Sequence, residues 1–414
     1  MTRPISPAEP QVGFACRARQ RYEPAATGGT HASRRCGRAG RPAAGTAMSG
    51  DGVTGAAISG AGGGARFASS EGQRFMSAAF RAVGLPPADA DAVAERMGLA
   101  DLRAIDSHGI VRLPGYVRRI RAGAINPRPN ITLVQEAAAT ALIDGDNGMG
   151  HLVMGRAAAL AIDKARAAGI GLVGARASNH AGAGAVYAMM PLGHDMIGLY
   201  LAVANINHMA PWGGLDPLLG TNPIAVAVPT LEEPPVVLDI ATTATSFGRI
   251  RVAAQNGESL PEGLVMDREG QPVTDPREAI EHGLVLPMGG YKGYGLSLMF
   301  SLLAGAVNGT PVGSTTIGAE AQETQGSNTG QAIMALDVAR FREVEGFKRD
   351  VDRIARELRR SRPMPGVSEV RFPGLQAHRI AEERARAGIP LRPALRRELD
   401  VLAAELGIAP LALQ

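Results

Sequence analysis

The chain has 414 residues, too long for one average domain, and its 45% hydrophobic and 20% charged residues are the balance of an ordinary globular protein, not of a disordered one. No apolar run reaches the roughly 18–20 residues that a bilayer crossing needs, so no membrane partner is expected. The net charge of +4 hints at nucleic acid, but the first 47 residues carry eight arginines against two glutamates, so the rest of the chain is net −2 and no nucleic-acid partner is expected.

Residues 1–65 read as a disordered leader or an over-extended N-terminus, with Met48 as an alternative start. Pro4, Pro7, Pro10 and Pro24 would interrupt a helix, and no apolar core of a secretory signal is present. An arginine-rich organelle leader is the alternative, and a cytoplasmic location is the expectation. The leader also holds both cysteines, Cys16 and Cys36, which removes disulfides, cysteine-ligated zinc and thiolate catalysis from the body.

From Phe67 the apolar residues Phe75, Met76, Ala79, Phe80 and Val83 recur at helical spacing up to Gly84. A second helix is predicted over about 88–104 and a third from Leu113-Pro114 to Gly123, where proline suits a first turn. Strands follow at 131–136 and 140–144, then a helix over 150–168. The short apolar runs 170–175, 196–204, 224–228 and 236–240 read as strands buried on both faces. An apolar helix over 296–307, a strand at 332–337 and a charged helix over 344–358 come next, and helices over 380–388 and 394–406 end the chain. Helices flanking a strand-rich middle predict a mixed α/β protein whose termini pack together.

The one literal G-x-G-x-x-G runs from Gly169 through Gly171 to Gly174, with the helix before it and the strand after it. A dinucleotide fingerprint needs the opposite order, so Gly169 reads instead as a helix C-cap. A better anion site is the glycine-rich run Met288–Gly295 with Lys292, just before the predicted helix, where backbone N–H groups and a helix N-terminus favour negative charge. A plain glycine-rich connection whose lysine faces water is the alternative. His108, Arg112 and Tyr116 stand four residues apart: arginine can grip a carboxylate through two hydrogen bonds, and histidine can exchange a proton near neutral pH. They could equally form a solvated helix face. His180 follows the strand at 170–175, where α/β proteins bind ligands, though a buried capping histidine would look the same. No histidine pairs with acids at a metal-ligand spacing, so no metal is expected.

Seven segments, DSHGIVRLPGY, SNHAGAG, PWGG, LGTNPIAVAVP, VLDIATT, PVTDP and GGYKGYGLSLM, stand in the order of one family. The chain resembles the malate/L-lactate dehydrogenase family that also contains ureidoglycolate and sulfolactate dehydrogenases and cyclic-imine reductases. The likeness spans about residues 67–408. It implies an α/β fold in which a non-Rossmann, mixed-sheet nicotinamide-binding domain packs with a helical domain built from the N- and C-terminal segments. On that reading 66–135 is the helical substrate-site region, 136–310 the α/β cofactor-binding and catalytic region, and 311–414 a strand plus helices packing back on the N-terminal region. It also implies a homodimer, NAD or NADP as cofactor, and a small 2-oxo or 2-hydroxy acid as substrate. His180 would be the acid/base, with His108, Arg112 and Tyr116 lining the substrate site. Asn205, Pro211, Trp212, Gly213, Thr221 and Asn222 would border the nicotinamide. Asp239, Ile240, Ala241, Arg249, Lys292, Gly374, Leu375 and Gln376 would touch the cofactor.

Three departures bear on this. Arg249 stands where many relatives have lysine, Leu375 stands where many have an acid, and His208 is another expected site substitution. Leu375 leaves the choice between NAD and NADP open. Two other functions stay open: reduction of a 1-piperideine- or 1-pyrroline-2-carboxylate, and a cofactor-binding protein without turnover.

Overall fold

The computed structural model describes residues 64–204 and 206–414, so Asn205 and nearly all of the expected leader lie outside the described residues. In chain order the elements are β1 (Arg66–Phe67), α1 (Ser69–Ala82), α2 (Pro87–Leu102), α3 (Leu113–Arg121), β2 (Thr132–Glu136), β3 (Thr140–Gly148), α4 (Gly150–Ala168), β4 (Ile170–Ser178), α5 (Gly184–Ala188), β5 (Met196–Ala202), β6 (Ile224–Val228) and β7 (Val236–Ile240). There follow α6 (Phe247–Asn256), β8 (Val265–Met266), α7 (Pro276–Glu281), β9 (Leu284–Val285), α8 (Tyr291–Ala304), α9 (Ala319–Gln322), β10 (Gln331–Asp337), α10 (Val344–Arg360), α11 (Leu375–Ala387), β11 (Ile389–Pro390) and α12 (Pro393–Leu406).

The termini meet. Phe67 lies not in the first helix but in β1, which pairs antiparallel with β11. The apolar stripe of α1, with Phe75, Met76 and Phe80, shares one core with Val93 and Met97 of α2, Val117 of α3, and Leu399 and Leu402 of α12. Each fully buried side chain of this kind contributes about 1.5–3 kcal/mol.

Seven strands form a mixed sheet in the order β2-β3-β4-β10-β5-β6-β7. Only β3 and β4 are parallel, joined by the crossover helix α4, and every other neighbouring pair is antiparallel. Alanines 157, 158, 161 and 165 of α4 are all fully buried, so the helix can lie close on the sheet. Gly171 completes the fit, because a Cβ there would run into the Ala161 carbonyl. Gly169, at φ 87°, is the left-handed C-cap of α4, as its place between helix and strand requires.

Two expectations need correction. The strands are not buried on both faces: β6 alternates buried and half-buried, and Ile170 and Leu172 of β4 are exposed on the face away from α4. Helix α8 and the turn after it cover that second face only in part, which is why uninterrupted apolar runs pass for doubly covered strands. Helix α8 also starts five residues early, at Tyr291, so Lys292 lies in its first turn instead of in a loop before it.

Candidate active site

The segment between α2 and α3 makes two single 3-10 turns, Asp106–His108 and Ile110–Arg112. It is held from beneath by the buried carboxylate of Asp101, which accepts the Ile110 N–H at 2.8 Å. Arg384 of α11, itself buried, pairs with the carboxylate of Asp106 and donates to the Asp101 carbonyl. Burial pushes the Asp101 carboxyl up to about 8. On top of this platform Ser107 Oγ lies 2.8 Å from His108 Nδ1. Arg112 Nε donates to the Ser107 carbonyl at 2.7 Å, leaving the outer nitrogens of the exposed guanidinium without a hydrogen-bond partner among the described residues.

Strand β4 delivers the second half. At its end Asn179, wholly buried, accepts from Arg119 at 3.0 Å and from the Ser327 N–H at 3.2 Å. Its amide nitrogen donates to the carbonyls of Asn147 at 2.9 Å and Gly148 at 3.0 Å. Arg119 in turn donates to the Gln322 carbonyl and to Ser327 Oγ. The next residue, His180, is thereby placed with Nδ1 2.6 Å from the Tyr116 hydroxyl. The ring of His108 stacks on that of His180 at 5.4 Å between centroids and 23° between planes. His151, on the first turn of α4, packs edge-to-face on Tyr116 at 5.4 Å and 87°. It is 1% exposed, and neither of its nitrogens has a hydrogen-bond partner among the described residues.

Burial and the neighbouring cations keep these rings neutral. Burial first, and Arg112 second, hold His108 at about 3 and carry His180 well below the ordinary imidazole range. Burial with Arg96 brings His151 to about 3, and burial raises the Tyr116 phenol to about 12.

A second group gathers at the start of α8. Trp212 is 59% exposed and lies over Gly290, where an added Cβ would come within 3.1 Å of the indole. Gly290, at φ 65°, opens the helix with no side chain capping its N–H groups, and Lys292 is exposed without an ion pair among the described residues. Pro211 and Gly213 flank Trp212. The Thr221 carbonyl accepts the Thr242 N–H at 2.8 Å, one residue beyond Ile240-Ala241 at the end of β7. Asn222, expected at the nicotinamide, spends its buried side chain inside the fold: it accepts from the Ala204 N–H and donates to Ser297 and Ser301 of α8. Asp239 accepts the Ala185 N–H at 2.9 Å, and burial raises its carboxyl to about 6.

Two further pieces are set apart. Ser246 caps α6 by accepting the Arg249 N–H, and this helix start approaches the substrate loop: a Cβ on Gly248 would lie 3.6 Å from the Ser107 Cβ. His208 packs edge-to-face on Phe247 of the same helix at 4.8 Å, and burial lowers it to about 4. At the other end of β7, the Val237 N–H donates to the Pro373 carbonyl at 3.0 Å, beside Gly374 and Leu375. Leu375 lines a cavity of about 460 Å³ with Glu233, Arg359, His378 and Arg379, while Gln376 accepts from Arg371.

The structure thus brings His108, Arg112, Tyr116 and His180 together, with Arg249 near the same loop. Trp212, Thr221 and Lys292 form a separate group, and Gly374 and Leu375 a third, reached along β7. Ser107, Asp101, Asn179, Arg119 and His151 were not singled out from the sequence. Arg119 was legible, because it continues the 112, 116 spacing by another three residues on the face of α3. His151 was not: it reads as one polar residue in an apolar helix start.

A neutral histidine–tyrosine pair beside a guanidinium with open outer nitrogens defines an acid–base site for a small carboxylate. A model of the malate/L-lactate dehydrogenase family matches residues 67–400, and the chain belongs to that family and is a dehydrogenase. It is 37% identical over 333 residues to a malate dehydrogenase of Pyrococcus horikoshii, covering 79% of this chain and 91% of that protein. It is 35% identical over 237 residues to a Δ1-pyrroline-2-carboxylate/Δ1-piperideine-2-carboxylate reductase of Pseudomonas putida, covering 57% and 69%. Among solved structures it is similar to sulfolactate dehydrogenase from Methanocaldococcus jannaschii, with TM-score 0.77 and 36% identity over 83% of this chain and 98% of that one. None of the described helices is long and apolar enough to cross a membrane.

Proposed function

We propose that the protein moves hydride between a nicotinamide cofactor, NAD or NADP, and a small 2-hydroxy or 2-oxo acid. The observation that carries this reading is the Tyr116–His180 pair beside the open guanidinium of Arg112. Oxidising a 2-hydroxy acid requires a base for the hydroxyl proton and a cation for the carboxylate. His180 is the base and Arg112 the cation. In the reverse direction His180 returns the proton to the carbonyl oxygen.

The residues at the start of α8 fit a dinucleotide on a non-Rossmann fold. Gly290 lets the Trp212 indole lie close over the helix start, where a Cβ would crowd it, the uncapped helix end offers N–H donors, and Lys292 adds a charge with no protein partner among the described residues. When bound, the nicotinamide supplies or accepts the hydride. Trp212, Thr221 and Lys292 would hold that part of the cofactor, with Pro211, Gly213, Asn222 and the Asp239-Ile240-Ala241 turn bordering it. Gly374, Leu375 and Gln376 would border its adenosine end, with Arg249 adding charge on the substrate side. The outward face of α8, where Met299 and Leu303 are each 50% exposed, supports a homodimer as the working form.

A panel of 2-oxo acids with NADH and NADPH, followed by loss of reduced-cofactor absorbance, tests the reading; no consumption with any acid would refute it. His180→Ala should lower turnover about 10²–10⁴-fold with cofactor binding kept, the usual worth of acid–base catalysis. The likeness to a cyclic-imine reductase favours a second reading, in which the same arginine grips the imine's carboxylate; consumption with cyclic imines but not oxo acids would select it.

A further inference from the structure

Two donors meet on one atom of His180. The Gly182 amide nitrogen lies 3.3 Å from Nδ1, and the Tyr116 hydroxyl 2.6 Å from it. A backbone N–H can only donate, so Nδ1 is an acceptor and the hydrogen of the neutral ring sits on Nε2. The phenol then also donates to Nδ1. Nε2–H has no hydrogen-bond partner among the described residues and is the end of the ring left for a substrate. The neutral ring is therefore drawn with its proton already facing outward.

The surroundings oppose a cationic alternative. Arg112, Arg119, His108 and His151 all face the pair, and with burial they disfavour an imidazolium at His180. The two arginines stabilise negative charge on the Tyr116 oxygen: Arg112 and Arg119 both act to lower the phenol's proton affinity against the effect of burial. A ring that resists a second proton can still donate one if another arrives at its far nitrogen.

We propose that Tyr116 acts through His180 as a proton relay, a role that rests on the dehydrogenase reading above and deepens it. During reduction a bound nicotinamide would supply the hydride for the carbonyl carbon, and the carbonyl oxygen takes the Nε2 proton. The N–H electron pair stays on Nε2, and the Nδ1 lone pair takes the phenolic proton. The O–H pair stays on Tyr116 as tyrosinate between Arg112 and Arg119. The imidazole stays neutral and only exchanges tautomers; on product release a solvent proton returns to Nε2, the open end of the ring, and the Nδ1 proton returns to the tyrosinate, which restores the starting arrangement. Oxidation runs the same path backwards. Tyr116 thus fixes which tautomer His180 holds and supplies the proton that His180 gives away.

The test has a spectroscopic and a kinetic arm. In full-length protein with 15N-labelled histidine, His180 should show the Nε2–H tautomer across about pH 6–8. An Nδ1–H tautomer, or a histidine that titrates in that range, would overturn the relay. In single turnovers of 2-oxo acid reduction, the rate in H2O/D2O mixtures should curve for the wild type, because two protons move, and fall on a straight line for Tyr116→Phe. That variant should also reduce about 10²–10³-fold more slowly, gain rate as pH falls because an imidazolium must then donate, and keep cofactor affinity read by Trp212 fluorescence. A straight line for the wild type, or a rate within about threefold of it for Tyr116→Phe, would overturn the proposal. If the wild type consumes no cofactor with any oxo acid or imine, the dehydrogenase reading of the site fails instead, and the tautomer measurement still decides the proton arrangement.

Discussion

Replacing Asn179 by alanine removes the residue that ties His180 to three parts of the fold. The side chain is wholly buried and makes five bonds outward: it accepts from Arg119 and the Ser327 N–H, and donates to the Asn147 carbonyl and side-chain oxygen and to the Gly148 carbonyl. Alanine leaves those carbonyls, the N–H and one guanidinium N–H in a dry site with no replacement for the lost amide. At about 1 kcal/mol for each of the two carbonyls and the N–H and about 2 kcal/mol for the charged group, the expected loss is roughly 5 kcal/mol, with partial relaxation of the neighbours lowering it toward 3. Urea denaturation reads this as a lower midpoint at unchanged slope. The same freedom lets His180 drift by a fraction of an ångström to an ångström, which costs up to about 10²-fold in turnover, while cofactor affinity should not move. Asn179→Asp keeps the acceptor for Arg119 and loses the amide's three donations, so it should fall between wild type and Asn179→Ala. A stability loss under about 1 kcal/mol together with turnover within about threefold of wild type would refute the claim that Asn179 positions the site.

Arg112→Lys should raise KM for carboxylate substrates about 10–100-fold, because an ammonium keeps the charge but not the two-pronged fork, while cofactor affinity stays put; an unchanged KM means the carboxylate binds elsewhere. Asp101→Asn should change how stability depends on pH. The folded carboxyl is raised to about 8, so the wild-type acid contributes stability below its ordinary value of 3.8 and loses it as pH rises toward 8. Asparagine has no such loss, so the melting temperature of the variant relative to wild type should climb between about pH 4 and 8 and level off above; a flat difference contradicts the buried acid. His151→Phe removes two unpartnered buried nitrogens and should raise stability by about 1 kcal/mol in denaturant titrations, and a clear loss would mean that the imidazole has a partner.

Much of the substrate side was legible in the sequence because it is local. His108, Arg112 and Tyr116 lie within nine residues, so helical spacing alone puts the last two on one face, and His180 announces itself by following a strand. What periodicity could not reveal was contact across the fold. Asn179 is read correctly only when Arg119 and Ser327 are known to reach it from 60 and 148 residues away. Asn222 shows the converse: its motif suggests a ligand, yet its amide is consumed by Ser297 and Ser301, 75 and 79 residues on. The start of α8 was misjudged for a third reason. Glycines at 293 and 295 count against a helix in any propensity scale, but Gly293 is needed there because a Cβ would strike the Met288 carbonyl. Close packing overrode propensity and drew Lys292 into the helix.

The unpaired charges explain why the candidate site collects neutral rings. Arg112 and Lys292 have no acidic partner among the described residues, and Asp101 and Asp106 are committed to Ile110 and Arg384 below the substrate loop. The surface open to a ligand is therefore net cationic, which suits an anionic acid and an anionic cofactor but makes a protonated histidine there costly. Acid–base work in such a field is cheapest when the histidine passes a proton on without holding a second one. A substrate carboxylate on Arg112 would remove part of the field that lowers His180, so binding itself should raise the proton affinity of the ring.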